Sequence, residues 1–449
     1  MKTLIKNGTL VWPDHREKAN LLCSGDRIVY IGNEEKGADD IIDAEGCFVM
    51  PGFIDPHTHL EMSPNRFRVD TEAAALGGCT CVLEFANQYR GQSMMDGYRQ
   101  WMEYAENSTV NYGFHMSLSG WNARQEEELD RMDEAGIASY KMYMIYDELK
   151  VPDGEIYGAM KGIRKHGGIL GIHCENDDLI RVITEELYQS GCTSAAGHPR
   201  SRPAPVEAEA VARFLRIAEL AEAPAYIVHL STEEGLEEIR HARERGQEVY
   251  VETCPQYLLL TDQRYTGPEG LKYVMSPPLR TKKDSEALWQ AVSDGEIDTV
   301  GTDHCSIPMA DRIPYKDDFR NIPNGCAGLQ HRGQLLYTYG VCSGKITLER
   351  MTELLSTNAA AVFGIPERGI LKDGAAADIV IWDPGYKGMI TDTNHHHDCD
   401  SSIYAGMEVR GRARDVLING EITVRNGDLI HSGHGRYVSC APGKHYREK

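Results

Sequence analysis

The sequence predicts an α/β fold: a (β/α)8 barrel of the TIM type, with a small β-sandwich formed from the two chain ends. Three observations carry this. Eight short apolar runs alternate with helical stretches between about residues 48 and 306. The two ends share a different, alternating texture broken by Asn-Gly turns. Metal-ligand residue types close successive apolar runs in the middle region, as residues converging on a barrel mouth would.

The candidate barrel strands are 48–56, 80–86, 111–118, 137–145, 169–174, 225–230, 249–254 and 298–303. Helix-like segments lie between most of them, among them 124–135 and 206–222, and further helices near 326–340 and 347–362 complete the ring. Strands buried on both faces and alternating with helices imply a parallel sheet. At the start, TLIKNGTLVW and DRIVYIG read as alternating strands with turns at Asn7-Gly8 and Gly25-Asp26. Residues 374–426 repeat that texture, and neither end has strands enough for a stable sheet alone, so the two are expected to pair. The expected division is 1–49 and 366–449 for the β-domain and 50–365 for the barrel, with the irregular tail after residue 430 available to pack on a neighbouring subunit.

Composition sets bounds. With 449 residues, 41% of them hydrophobic and 26% charged, the chain reads as a globular enzyme, and a barrel can absorb roughly 200 to more than 400 residues as one unit. A net charge of −21 argues against nucleic acid and anionic membrane as partners. No apolar run approaches the roughly 20 residues that span a bilayer. The first residues alternate like a strand and lack a signal peptide's apolar core, and the twelve cysteines form no CxxC pair, so the reading is a cytoplasmic protein with reduced thiols.

The chemistry gathers at strand ends. His57 and His59 lie two apart at the end of the first run and so share one face, where both can reach one metal. His173 ends ILGIH, His229 ends YIVH and Asp303 ends DTVGTD. One such histidine is most often a hydrogen-bonded core residue; four with an aspartate at equivalent strand ends are not explained that way. Lys141 sits within the apolar run IASYKMYMI, where a bare ammonium is costly and, beside two dications, repelled. Addition of CO2 would turn it into a carbamate whose two oxygens can bridge two metals. Among other candidates, His395-His396-His397 reads as a solvated loop cluster, Cys174 and Cys305 as packing residues, and Glu84 and His304 as either partners of the ligands or structural hydrogen bonds.

The motifs PGFIDPHTHLEM (51–62), SYKMYMIY (139–146), HCEN (173–176), IVHLS (227–231), ETCPQYLLL (252–260), SPPLR (276–280), GTDHC (301–305) and NG (324–325) resemble, nearly end to end, the dihydropyrimidinase/hydantoinase group of the amidohydrolase superfamily. The resemblance implies two zinc ions per subunit, the first on His57, His59 and Asp303, the second on His173 and His229, with Lys141 as N6-carboxylysine and a hydroxide bridging them. It implies Tyr146 as the group that polarises the carbonyl, and the backbone of Ser276 and Asn324 as the binders of the ring's amide edge. Asp303 would shuttle the proton to the leaving nitrogen, giving an N-carbamoyl amino acid from a hydantoin or dihydropyrimidine. It also implies a homotetramer acting on small cyclic ureides or imides. Met62, Tyr143 and Leu149 are expected to line an apolar pocket for the ring substituent, Tyr143 because it lies two after Lys141 on the same strand face.

Two rivals within the superfamily fit less well. Dihydroorotases carry an arginine two positions after the second metal histidine, where this chain has Glu61, and allantoinases lack a tyrosine five residues after the lysine, where it has Tyr146. A rival of another class, a catalytically dead scaffold like the collapsin response mediator proteins, has lost metal ligands that are all present here.

Overall fold

The computed structural model describes residues 1–63 and 65–443. Its centre is an eight-stranded parallel sheet whose strands follow one another in chain order: Phe53–Thr58, Cys79–Gln88, Asn111–Leu118, Ser139–Tyr143, Ile169–His173, Ala225–Ile227, Val249–Thr253 and Thr299–Val300. Every residue of these strands is buried, so they read as continuous apolar runs and not as alternating ones. The circle closes where Thr58 pairs with His304 and His59 N–H donates to His304 C=O at 2.8 Å. Inside the seam, the buried Arg332 guanidinium donates to Ile54 C=O and Val300 C=O, each at 2.9 Å, and so ties the first strand to the last. This is a (β/α)8 barrel.

The outer helices follow their sequence signals. Ala204–Ala221 starts after Pro203 with a further proline in its first turn, and buries Val206, Ala210, Val211, Phe214, Ala218 and Ala221 at steps of three and four. It ends where Glu222 turns left-handed at φ 50°. Ala123–Glu134 is capped reciprocally by Asn122 and Gln125.

The two ends form one nine-stranded mixed sheet. Its order runs from Asp428–Leu429 through Glu421–Arg425, Glu408–Ile418, Ile379–Met389, Phe48–Pro51, Lys2–Val11 and Arg16–Ser24 to Arg27–Gly32, with Asp40–Asp43 alongside Lys2–Val11. The junction is the antiparallel register Ile379 with Pro51, Val380 with Met50 and Ile381 with Val49. A separate core, including Ile5, Leu21, Val49, Ile381 and Leu417, lies within this sheet.

Four expectations change. The run 48–56 is two strands: Gly52 separates Phe48–Pro51, which belongs to the terminal sheet, from Phe53–Thr58 of the barrel. A side chain at Gly52 would collide with Thr80 at 2.0 Å, so the break is a close approach of strands. Asn7-Gly8 is a bulge inside the ten-residue strand Lys2–Val11 and makes no hairpin turn, whereas Gly25 does turn the chain between Arg16–Ser24 and Arg27–Gly32. The described tail runs along its own barrel: Tyr112, Gly136 and Gly364 exchange backbone hydrogen bonds with Arg436, Val438, Cys440 and Ala441. Of the triple histidine, expected to be solvated, His397 is buried at 5% exposed, whereas His395 and His396 are half-buried. No helix among the described residues is long and apolar enough to cross a membrane.

Candidate metal centre and active site

The first strand ends by turning His57 and His59 inward, and Asp303 meets them from the end of the eighth. The Asp303 Oδ1 atom lies 3.1 Å from His57 Nε2 and 3.3 Å from His59 Nε2. On the other side, His229 Nε2 lies 3.0 Å from His173 Nδ1, and the rings of His57 and His229 stand 5.3 Å apart. Lys141 reaches the middle from the fourth strand, 1% exposed, with its ammonium over the rings of Phe85 and Tyr143 at 4.5 and 5.1 Å. No carboxylate among the described residues lies within ion-pair distance of it. The structure thus gathers all six residues singled out in the sequence.

The surroundings fix which nitrogen each ring offers. Glu252 Oε1 takes His57 Nδ1 at 2.5 Å and the His229 backbone N–H at 3.0 Å. Glu175 Oε2 takes His173 Nε2 at 2.7 Å and is itself held by Arg202 Nη1 at 2.7 Å. His57 Nε2 and His173 Nδ1 are thereby left as lone-pair donors toward the centre. His57 Nε2 and His229 Nδ1 are buried without a hydrogen-bond partner.

Electrostatics favour a cation here. Burial alone would drive His57 to neutrality, yet Glu252 and Asp303 outweigh it and raise the imidazole's pKa. Burial likewise pushes Asp303 up, but the surrounding histidines hold it well below the usual carboxylate range. Desolvation brings Lys141 down to about 8, so part of it is a nucleophilic free amine near neutral pH. Nitrogen and carboxylate donors aimed at one point, one of them otherwise unpartnered, fit borderline dications such as zinc.

A cleft of about 590 Å³ opens over this centre and is lined by every substrate-side residue of the sequence reading: Met62, Tyr143, Tyr146, Leu149, Ser276 and Asn324. Ser276 Oγ donates to Asn324 Oδ1 at 3.1 Å. His229, Asp303 and Tyr146 sit at φ 39°, 52° and 73°, a left-handed backbone that non-glycine residues rarely adopt and that clusters at functional sites.

The profile of the amidohydrolase family matches residues 48–423. The chain belongs to the amidohydrolase family, in its hydantoinase/dihydropyrimidinase group. The D-hydantoinase of Geobacillus stearothermophilus is 38% identical over 98% of this chain and 97% of its own length. An Escherichia coli D-phenylhydantoinase is also 38% identical, over 98% and 99%. Among solved structures, the dihydropyrimidinase of Brevibacillus agri superposes with a TM-score of 0.96 at 36% identity, covering 99% of both chains. An L-hydantoinase of Arthrobacter aurescens reaches 0.90 at 28% identity, over 97% of this chain and 99% of its own.

For this amidohydrolase, sequence reasoning missed the residues that stand behind the ligands. Glu252 was visible as a carboxylate inside the apolar run VYVET, and Glu175 as an acid two after His173, and those positions were the available signals. Arg202 lies in a loop with no local cue. Glu84 resolves as a structural anchor: its carboxylate takes the Thr58 hydroxyl at 2.8 Å and Leu60 N–H at 3.0 Å, on either side of His59. His304 points away, with Nε2 3.1 Å from Asp70 and Nδ1 accepting from Gly328 N–H. Cys174 packs in the core as expected, but Cys305 lines the cleft. The substituent side is also more polar than expected, since Glu61, Asp147, Glu148 and Arg181 join Met62 and Leu149 there.

Proposed function

We propose that this amidohydrolase opens the ring of hydantoins or dihydropyrimidines to N-carbamoyl amino acids, using two zinc ions held by His57, His59, His173, His229, Asp303 and a carboxylated Lys141. The carrying observation is the convergence of two histidine pairs, an aspartate and a buried, ion-pair-free lysine beneath a cleft that also holds Tyr146, Ser276 and Asn324. The names of the relatives support the substrate class. When bound, such a metal pair supplies Lewis acidity and lowers the pKa of a captured water toward 7.

The protein's own groups do the rest. Glu252 and Glu175 fix the ring tautomers of His57 and His173. Asp303, held as carboxylate, accepts the proton of the attacking water and hands it to the leaving ring nitrogen. Burial pushes the Tyr146 phenol up to about 12, so it stays protonated and can donate to the carbonyl oxygen as negative charge develops. The backbone of Ser276 and Asn324, whose side chains are hydrogen-bonded to each other, offers donors and acceptors to the amide edge of the ring. The homotetramer and cytoplasmic location belong to the same proposal.

Glu61 in the cleft disfavours the carboxylate of dihydroorotate, and Tyr146 stands where allantoinases lack a tyrosine. Zinc-loaded enzyme should therefore turn over hydantoin, 5-phenylhydantoin or dihydrouracil in preference to allantoin and dihydroorotate. Preference for either of the last two would overturn the substrate assignment. A folded preparation with almost no bound zinc would overturn the enzyme in favour of a scaffold.

A further inference from the structure

Arg312 is 2% exposed, yet among the described residues no carboxylate lies within ion-pair distance of it. Burial pulls its pKa below the ordinary arginine value, and the neighbours that most oppose this are thiols, those of Cys305, Cys326 and Cys399. Its Nε is buried with no hydrogen-bond partner. A charge held in this way is costly. The two terminal nitrogens go instead to main-chain carbonyls: Nη1 donates to Leu271 C=O at 2.8 Å, and Nη2 to Gly325 C=O. One carbonyl lies in the turn Gly270–Tyr273 that leads to Ser276, and the other directly follows Asn324. A rigid planar fork is suited to holding two acceptors at one separation.

The two loops meet at the cleft. Ser276 Oγ donates to Asn324 Oδ1 at 3.1 Å, and Gly325 N–H to Val274 C=O at 3.0 Å. Gly325 sits at φ 155°, and a side chain there would meet Cys305 Cβ and Sγ at 2.8 Å, so the peptide after Asn324 is pressed against the cleft wall. Among the described residues, no hydrogen bond occupies the main-chain N–H or C=O of Ser276 or Asn324. Both remain free for the amide edge of a ring, and the gap between them decides which ring they can grip. Arg312 stands behind them in the helix Met309–Arg312, whose first N–H is held by Asp400 at 2.8 Å. A neutral residue of similar volume would fill the space without an uncompensated charge, and a local rule broken in this way is expected where function needs it.

We propose that Arg312 is a positioning residue for substrate specificity: it clamps the Ser276 and Asn324 loops at one separation, and so sets the preference between five- and six-membered cyclic ureides. The proposal rests on the ring-opening activity set out above. Hydantoin and dihydrouracil differ by one ring methylene, which a fixed pocket discriminates by about 10–200-fold.

The test compares those two substrates on the full-length zinc-loaded protein. In Arg312→Gln, KM should rise about tenfold while zinc content and kcat hold within about threefold, as expected when grip on the bound ring is lost. The ratio of kcat/KM between the two rings should move about tenfold toward one. An unchanged ratio would overturn the proposal, whatever happens to the thermal midpoint. Arg312→Lys keeps the charge but reaches one carbonyl at a time, so it should show the same change in smaller measure, and it is the variant to read if the glutamine form does not fold. Hydrogen exchange gives a reading that needs no substrate: the Gly325 amide, bonded to Val274, should exchange about tenfold faster in either variant. Unchanged exchange would overturn the clamp. A wild type that opens neither ring, with exchange responding as expected, would overturn the ring-opening activity and leave the clamp standing.

Discussion

A single carboxylate, that of Glu252, touches both halves of the metal centre: it fixes the tautomer of His57 and holds the strained backbone of His229. Partners of this kind typically contribute 10–100-fold to metal affinity. Glu252→Gln is expected to weaken zinc retention by about that factor in chelator competition, and unchanged affinity would remove it from this role. Tyr146→Phe should keep both metals and lose about 10²–10³ in turnover, as removal of one oxyanion donor does. If turnover holds, Tyr146 is no part of the mechanism. Lys141→Ala should bind less zinc and be inactive, with partial return of both on adding a short carboxylic acid; full metal content in the variant would show that no carbamate is needed. At this scale the sequence exposed the ligands because each is a polar residue closing an apolar run or, for Lys141, standing inside one. It hid Glu252, Glu175 and Arg202, because a buried acid reads the same whether it supports a ligand or satisfies a backbone. It misled at His397, where a polar loop suggested water and the ring instead packs beside His331, a residue more than sixty positions away.

The elements were legible as periodicities, and their limits less so. Gly52 splits one apolar run between two sheets, and nothing local tells that its neighbour Thr80 leaves no room for a side chain. The seam of the barrel depends on Arg332, whose nearest acid is Asp55 at 3.7 Å. Removing one member of a buried pair leaves the other charge bare, typically at about 3–5 kcal/mol. Arg332→Met is therefore expected to lower the unfolding free energy by roughly that amount in urea titration. A loss below about 1 kcal/mol would mean that the seam is held by its backbone pairing alone.

For the whole molecule, buried neutral histidines set a pH profile. Burial lowers His115 and His198 to about 3, and each ring is hydrogen-bonded to a backbone carbonyl, of Pro56 and of Met275. Their unfolded pKa is near 6.5, so between these values the unfolded chain binds more protons and stability rises with pH. The contribution is complete above about pH 6.5 and is lost toward pH 3, at up to about 1.4 kcal/mol per pH unit for each ring. Urea midpoints at pH 7 and pH 5 should differ accordingly, and His198→Gln should flatten the dependence; a midpoint independent of pH would refute this.

The pairing of Phe48–Pro51 with Ile379–Trp382 also has a meaning in time. A ribosome making about 5–20 residues per second needs on the order of half a minute to add the roughly 330 residues between those strands. Throughout that interval the first sheet strands carry an open edge and an apolar face whose covering residues, Ile381 and Leu417 among them, do not yet exist. The barrel can close on the ribosome; the terminal sheet can be completed only near the end of synthesis. The nascent amino-terminal segment is thus the part of this chain with most call on a chaperone.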